Sequence, residues 1–164
     1  MLSWFRRTPQ FMDEAFVDLA NMLSAEDENP VPQRESLDAE RLDYSLASLR
    51  HVDEYLVRMH EAKPDGEDAM RVVLRVGAYV GEVVRRLRPG HFRWVTHQEA
   101  ARHSKLLKGW EMSLATAGIL WSNAETMAFP LAKVCKFIEN GSEDSVYAFA
   151  LVIGDENREP GQSF

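Results

Sequence analysis

The chain has 164 residues, 45% of them hydrophobic and 27% charged, with a net charge of −7. That is enough length and apolar content for one domain with a real core, and the acidic balance argues against a nucleic-acid binder, which needs a concentrated positive surface. No run of about 18 apolar residues is present to cross a membrane, and a single cysteine, Cys135, rules out an internal disulfide framework and fits a reducing cytoplasm.

The charge is unevenly placed. Residues 10–66 hold 14 Asp/Glu against 5 Lys/Arg, residues 67–110 hold 4 against 9, and residues 111–164 hold 8 against 3. A basic middle between acidic flanks reads first as intramolecular pairing.

The opening MLSWFRRTPQ has two arginines but no apolar stretch behind them, so it does not read as a signal peptide. Leu2, Trp4 and Phe5 beside Arg6 and Arg7 are too few for more than a marginal membrane anchor. Residues 1–8 and 155–164 read as tails. From Pro9 to about Ser24 the spacing of Phe11, Ala15, Phe16, Leu19, Met22 and Leu23 predicts an amphipathic helix. AEDENPVPQRE (Ala25 to Glu35) reads as a loop. A long helix is expected next, capped by Ser36 or Asp38 and running to about Ala62. Its apolar stripe is Leu42, Leu46, Leu49, Val52, Leu56 and Met59.

After a connection at Lys63–Gly66 comes the helix around which the chain is organised, EDAMRVVLRVGAYVGEVVRRLR (Glu67 to Arg88). Two helices joined so tightly must run antiparallel. Asp65 suits the N-cap, acids start the helix, arginines end it, and Pro89-Gly90 stops it. Met70, Val73, Leu74, Gly77, Val80, Gly81, Val84 and Leu87 give the apolar face. A glycine inside a helix costs about 1 kcal/mol against alanine, so Gly77 and Gly81, four apart on that face, predict a backbone or bulky ring pressed close.

HFRWVT (His91 to Thr96) reads as a strand with Phe92 and Trp94 on one face. Thr96 and Glu99 suggest a capping box for a short helix through Leu107. LATAGILW (Leu114 to Trp121) reads as a second strand and Thr126 to Phe129 as a third. Pro130 opens a helix over Leu131–Glu139 that buries Leu131, Val134, Cys135 and Ile138 and stops at Asn140-Gly141. Ser142 is the expected cap of a last element, EDSVYAFALVI, read as helix from its acidic start. The expected class is α+β: antiparallel long helices packed with a small two- or three-stranded antiparallel sheet and shorter C-terminal helices, in one domain.

Chemistry-bearing constellations are thin. His51 and His60 are nine apart and out of phase for zinc, and His97 and His103 converge only if the chain bends. Cys135 sits on an apolar face with no local base, as an inert small hydrophobe. Gly77-x-x-x-Gly81 lies inside a helix and is no phosphate loop. Glu82 precedes Arg86 by four residues, the favoured spacing for a helix ion pair, and the two with Trp94 form the one candidate polar site. Arg85 and Arg86 could also reach Asp144 or the acidic second helix. Of the four tryptophans, Trp94 and Trp121 fall in strands and belong in the core. Trp4 and Trp110 fall in irregular chain, where exposure would mark a binding surface.

GAYVGEVVRR (Gly77 to Arg86), Phe92-Arg93-Trp94 and FPLAKVCKFIENGSEDSVYAF (Phe129 to Phe149) resemble a group of small bacterial proteins with no established activity. In that group a G-x-Y-x-G-E-V-x-R-R helix precedes a tryptophan strand, and a proline-started helix ends in E-N-G-x-E-D-S. The resemblance spans residues 67–150 and implies a bacterial origin and a shared α+β core, with no catalytic residue to carry over.

The expectation is therefore a non-enzymatic cytoplasmic protein that binds another protein, with no cofactor or metal and with self-association open. Immunity-type masking of a toxin is one form of it, in which Glu26–Glu28 and Asp53-Glu54 would meet a basic toxin surface. The alternative is a small-molecule or metal-binding protein, with or without enzymatic activity, with a cleft near Glu82, Arg86 and Trp94.

Overall fold

A computed structural model describes residues 9–122 and 126–155. Its elements are α1 (Pro9–Asn21), α2 (Ser48–Ala62), α3 (Gly66–Leu87), β1 (Phe92–Val95), α4 (His97–His103), β2 (Ile119–Ser122), β3 (Met127–Ala128), α5 (Pro130–Asn140) and α6 (Val146–Ile153). The fold is α+β, mostly helical, with one antiparallel sheet in the order β1-β2-β3.

α3 is the central element. From Arg75 to Val84 every residue is buried, including the charged Arg75 and Glu82. The apolar face read from the sequence was too narrow, because this helix is covered almost all round, while Met70 at its start is exposed. Asp65 occupies the N-cap but its side chain makes no cap bond. Glu67 and Asp68 instead hold Arg71 at 3.1 and 2.9 Å.

Both glycines of α3 are contact points. A Cβ on Gly77 would stand 2.7 Å from the Leu131 side chain and 3.0 Å from its Cα, so the start of α5 sits directly on this turn. A Cβ on Gly81 would run into the six-membered ring of Trp94. Trp94 in turn stacks on Phe16 of α1, with centroids 4.1 Å apart, and the far side of Phe16 lies against Gly118. Two rings are thus clamped between two glycines, which locks α1, α3 and the sheet together.

α2 and α3 run antiparallel. Ser48, at the end of α2 far from the connection, accepts a 2.8 Å hydrogen bond from the Tyr79 hydroxyl, about as far along α3. Yet α3 packs most extensively on α1 and α5, and α5 also lies against α2. The long helices are therefore bridged by a third rather than pressed face to face.

Several expected boundaries move. The helix expected from Ser36 or Asp38 begins only at Ser48. Asp38 caps a single 3-10 turn (Ala39–Arg41), accepting from the Glu40 N–H. Asp43 then accepts from both the Ser45 N–H and its hydroxyl, and Tyr44 takes a left-handed conformation with φ 62°. Short polar side chains that bond the local backbone compete with helix, and here they win. The apolar stripe still points inward: Leu49, Val52, Leu56 and Met59 are fully buried. Likewise α4 ends at His103 rather than Leu107, and Leu114–Thr116 is a 3-10 turn ahead of the strand. Ser145, not Ser142, caps α6, accepting from the Ala148 N–H. In α5 the expected Leu131 and Val134 are buried along with Phe137, while Cys135 and Ile138 are half-buried.

The sheet divides the interior. The cross-strand row Trp94, Leu120 and Ala128 faces the main core between the helices. The alternate residues Val95, Ile119, Trp121 and Met127 face the other way into a second, smaller core completed by Ala100 and Leu107. The period-two alternation of strands produces this split. Among the described residues, the second core is covered by the short α4, by Leu107 in the irregular chain that follows it and by Phe129.

Candidate functional site

The polar residues singled out in the sequence do meet, but as an internal brace. Glu82 Oε1 accepts from the Trp94 indole Nε1–H at 2.8 Å and from Arg85 at 2.7 Å. The partner of Glu82 is Arg85, three residues on, rather than the expected Arg86. Arg85 also reaches Asp13 at 3.1 Å and donates to the Phe92 carbonyl at 3.3 Å. Asp13 accepts from the Trp94 backbone N–H at 2.7 Å. Two outward-facing backbone groups of β1, the Trp94 N–H and the Phe92 carbonyl, are thereby satisfied by side chains, which obstructs an edge that would otherwise invite another strand. Glu82 and Trp94 are buried, and Arg86 lies exposed over the Tyr44 ring at 3.9 Å. Asp144 pairs with Lys133 at 2.7 Å, not with Arg85 or Arg86.

Of the expected acidic contact residues, Asp53 and Asp27 are engaged inside the fold, while Glu26, Glu28 and Glu54 are exposed. Asp53 accepts from the Ser145 hydroxyl at 2.6 Å and the Val146 N–H at 2.8 Å, so a residue of α2 helps to cap α6. Burial pushes its carboxyl up from the usual value, against the pull of those bonds. Glu54 is exposed and faces His51 and Arg41, each at 3.4 Å. The His51 contact, then the Arg41 charge, holds its carboxyl below the usual range. Asp27 faces the buried Arg75 at 3.4 Å, tying the 25–35 loop to α3.

The histidines are structural anchors. The Asp38 N–H donates to His51 Nε2 at 2.8 Å, which leaves the proton on Nδ1. His60 Nδ1 donates to the Ile138 carbonyl at 2.8 Å, and Lys63 reaches the Ile138 and Glu139 carbonyls, so α2 supplies cationic and N–H donors to the C-terminus of α5. His97 is buried and its Nε2–H donates to the Trp110 carbonyl at 3.0 Å. His103 lies beside the Trp121 ring at 4.9 Å. His97 and His103 do not converge on a common ligand position: among the described residues no three His, Cys, Asp or Glu side chains gather to hold a metal. Burial raises the Cys135 thiol, which fits an inert side chain.

What the polar motifs do not provide, an apolar surface does. Trp94 and Trp121 are in the two cores, whereas Trp110 is 61% exposed; Trp4 lies outside the described residues. Beside Trp110, Leu106 is 66% and Met112 63% exposed. Leu106 and Trp110 line a groove of about 720 Å³ that opens over the second core, and Met112 lies next to it in the chain. Leu107, Met127, Phe129, Ala132 and Phe149 supply the rest of its apolar lining. The His97 bond to the Trp110 carbonyl fixes the backbone that carries the rim. Polar groups are few in the lining, chiefly Glu111, Lys133 and Lys136. Val152, one helical turn beyond Phe149, adds exposed apolar surface on that side of α6.

The sequence pointed to Trp110 but not to the groove. The available signal was KLLKGWEM (Lys105 to Met112): four large apolar residues in a segment whose spacing fits neither helix nor strand, so one element could not bury them all.

No helix among the described residues is long and apolar enough to cross a membrane. No protein-family model matches this chain, and comparison with curated proteins and with solved structures gives no match either.

Proposed function

We propose that the protein is a non-enzymatic binding protein whose partner is another protein, seated on the groove face around Trp110. One observation carries this reading: Leu106 and Trp110 lie more than half exposed in the lining of a mostly apolar groove, with the exposed Met112 between the lining residues Glu111 and Ser113. Contiguous exposed apolar surface is costly unless something covers it, and tryptophan is enriched where binding energy concentrates. The groove volume alone would also suit a small ligand. A molecule confined to the groove, however, would leave the outer rim and the α6 surface wet, whereas a protein would cover both.

Toxin masking in the bacterial cytoplasm is the narrower form of this proposal. With Asp53 and Asp27 committed inside the fold, the groove replaces the acidic segments as its contact face. Tagged wild-type protein and a Trp110→Asp variant, expressed in the native host and analysed by quantitative mass spectrometry, test the reading. The expected result is a stoichiometric partner retained by the wild type and lost by the variant. Identical captures from both would contradict it.

A further inference from the structure

We infer that the groove receives an acidic amphipathic helix of its partner. This rests on the groove being a protein-docking face and adds what kind of segment docks there.

Strand addition is obstructed on one side of the sheet, because Asp13 and Arg85 occupy the Trp94 N–H and the Phe92 carbonyl of β1. On the other side β3 is two residues long, Met127–Ala128, too short to template a partner strand. Recognition at this face must therefore proceed through side chains entering a trough, and the form of backbone that presents apolar side chains on one side without needing a sheet edge is a helix. The trough is bounded by α5 on one side and by the Leu106–Trp110 turns on the other. Apolar anchors at i, i+3 or i+4 and i+7 would lie along its floor of Leu107, Met127 and Phe149.

The sign of the charge comes from the rim. Lys136 lines the groove, and Lys105 and Lys108 are the chain neighbours of the lining residues Leu106 and Leu107. All three are exposed, and none makes an ion pair with a described residue. Lys133 is different: it is held by Asp144. Glu111 is the carboxylate that opposes them in the lining. In a chain with net charge −7, a locally basic rim around an apolar trough is complementary to carboxylates placed beside a helix's apolar stripe. A second copy of the chain could bring acidic surface too, but such a contact would join two different faces and would not close on itself.

The test uses two designed helical peptides of about five turns with the same leucine stripe, one with glutamates and one with lysines on the polar face. Their binding to the full chain is followed by calorimetry and by NMR shift mapping. The glutamate peptide should bind at the groove, weaken as salt is raised, and lose roughly tenfold or more in affinity with Trp110→Asp. A triple variant, Lys105→Glu, Lys108→Glu and Lys136→Glu, alters exposed side chains without ion pairs, so folding should be unaffected. It should reverse the preference in favour of the lysine peptide. Equal binding of both peptides at the groove overturns the inference while leaving the docking reading intact. Binding that survives Trp110→Asp, or maps elsewhere, overturns both. If neither peptide binds, the inference fails. It also fails if sedimentation shows a dimer that Trp110→Asp dissolves, because the occupant is then a second copy.

Discussion

At the scale of single residues, the fold depends on two kinds of position: glycines that admit a neighbour and polar side chains that satisfy buried backbone. Gly81→Ala sets these forces against each other. Alanine is the better helix former by about 1 kcal/mol, but its Cβ would occupy the space of the Trp94 ring, itself backed by Phe16 and Gly118. Overpacking of that kind costs typically 1–3 kcal/mol, so a net loss of up to about 2 kcal/mol is expected in chemical denaturation. Unchanged or raised stability would mean the stack can yield. The close approach was legible in the sequence, because two glycines on one helical face imply it. That the neighbour is Trp94 was not, since it depends on how β1 returns across α3.

Asp144 offers a test by pH. Its hydrogen bond to Lys133, then that to the Asn140 amide, hold its carboxyl below the ordinary aspartate value of 3.8. A carboxylate with a depressed folded pKa contributes stability that is complete above 3.8 and is lost as the pH falls through the folded value. In carbon-detected NMR the Asp144 carboxyl should titrate below 3.8, and Lys133→Met should bring its midpoint back up. Replacing Asp144 with asparagine should then remove part of the protein's loss of stability below pH 3.8. A midpoint unmoved by Lys133→Met would show that the ion pair does not form in solution.

At the scale of elements, α6 is the least self-sufficient piece. VYAFALVI has no charged residue in its eight positions, and its start is capped jointly by Ser145 and by Asp53 from α2. Asp53→Ala should cost about 1–2 kcal/mol through the lost cap and lower the hydrogen-exchange protection of α6 more than that of α3. Equal effects on both helices would instead mean that α6 does not open separately. Strong periodic elements were readable: α1, α3, β1, β3 and α5 fall close to the expected spans. The failures cluster where short polar residues redirect the backbone. Asp38, Asp43 and Ser45 consume N–H groups that a helix would have used, so the chain from Arg34 to Ala47 is irregular despite leucines at helical spacing. Asp53 looked like a solvated acid because its partner lies 92 residues away along the chain.

At the scale of the molecule, the polar site expected at Glu82 is frame. The Glu82, Arg85 and Asp13 cluster braces a sheet edge, and His51, His60 and His97 pin turns and a helix end. The groove emerges from architecture rather than from any motif. The sheet is buried on both faces, but among the described residues its second face is covered by α4, Leu107 and Phe129, so part of the apolar content of the 104–113 segment remains outside. Sequence period could not reveal this, because the residues that line the groove come from three separate stretches of chain, 106–116, 127–136 and Phe149.

The most direct measurement of the docking proposal is site-specific photo-crosslinking in living cells of the native host. A photoreactive amino acid replaces Leu106, Trp110 or Met112 in turn, with Val57 on α2, 37% exposed, as the control apolar surface position. All four substitutions should leave stability within about 0.5 kcal/mol of the wild type, because exposed positions contribute little to folding. The account predicts one adduct of the same partner mass from positions 106, 110 and 112, and none from 57. Adducts at 57 equal to those at the rim, or no adduct at any of the three rim positions, would contradict it.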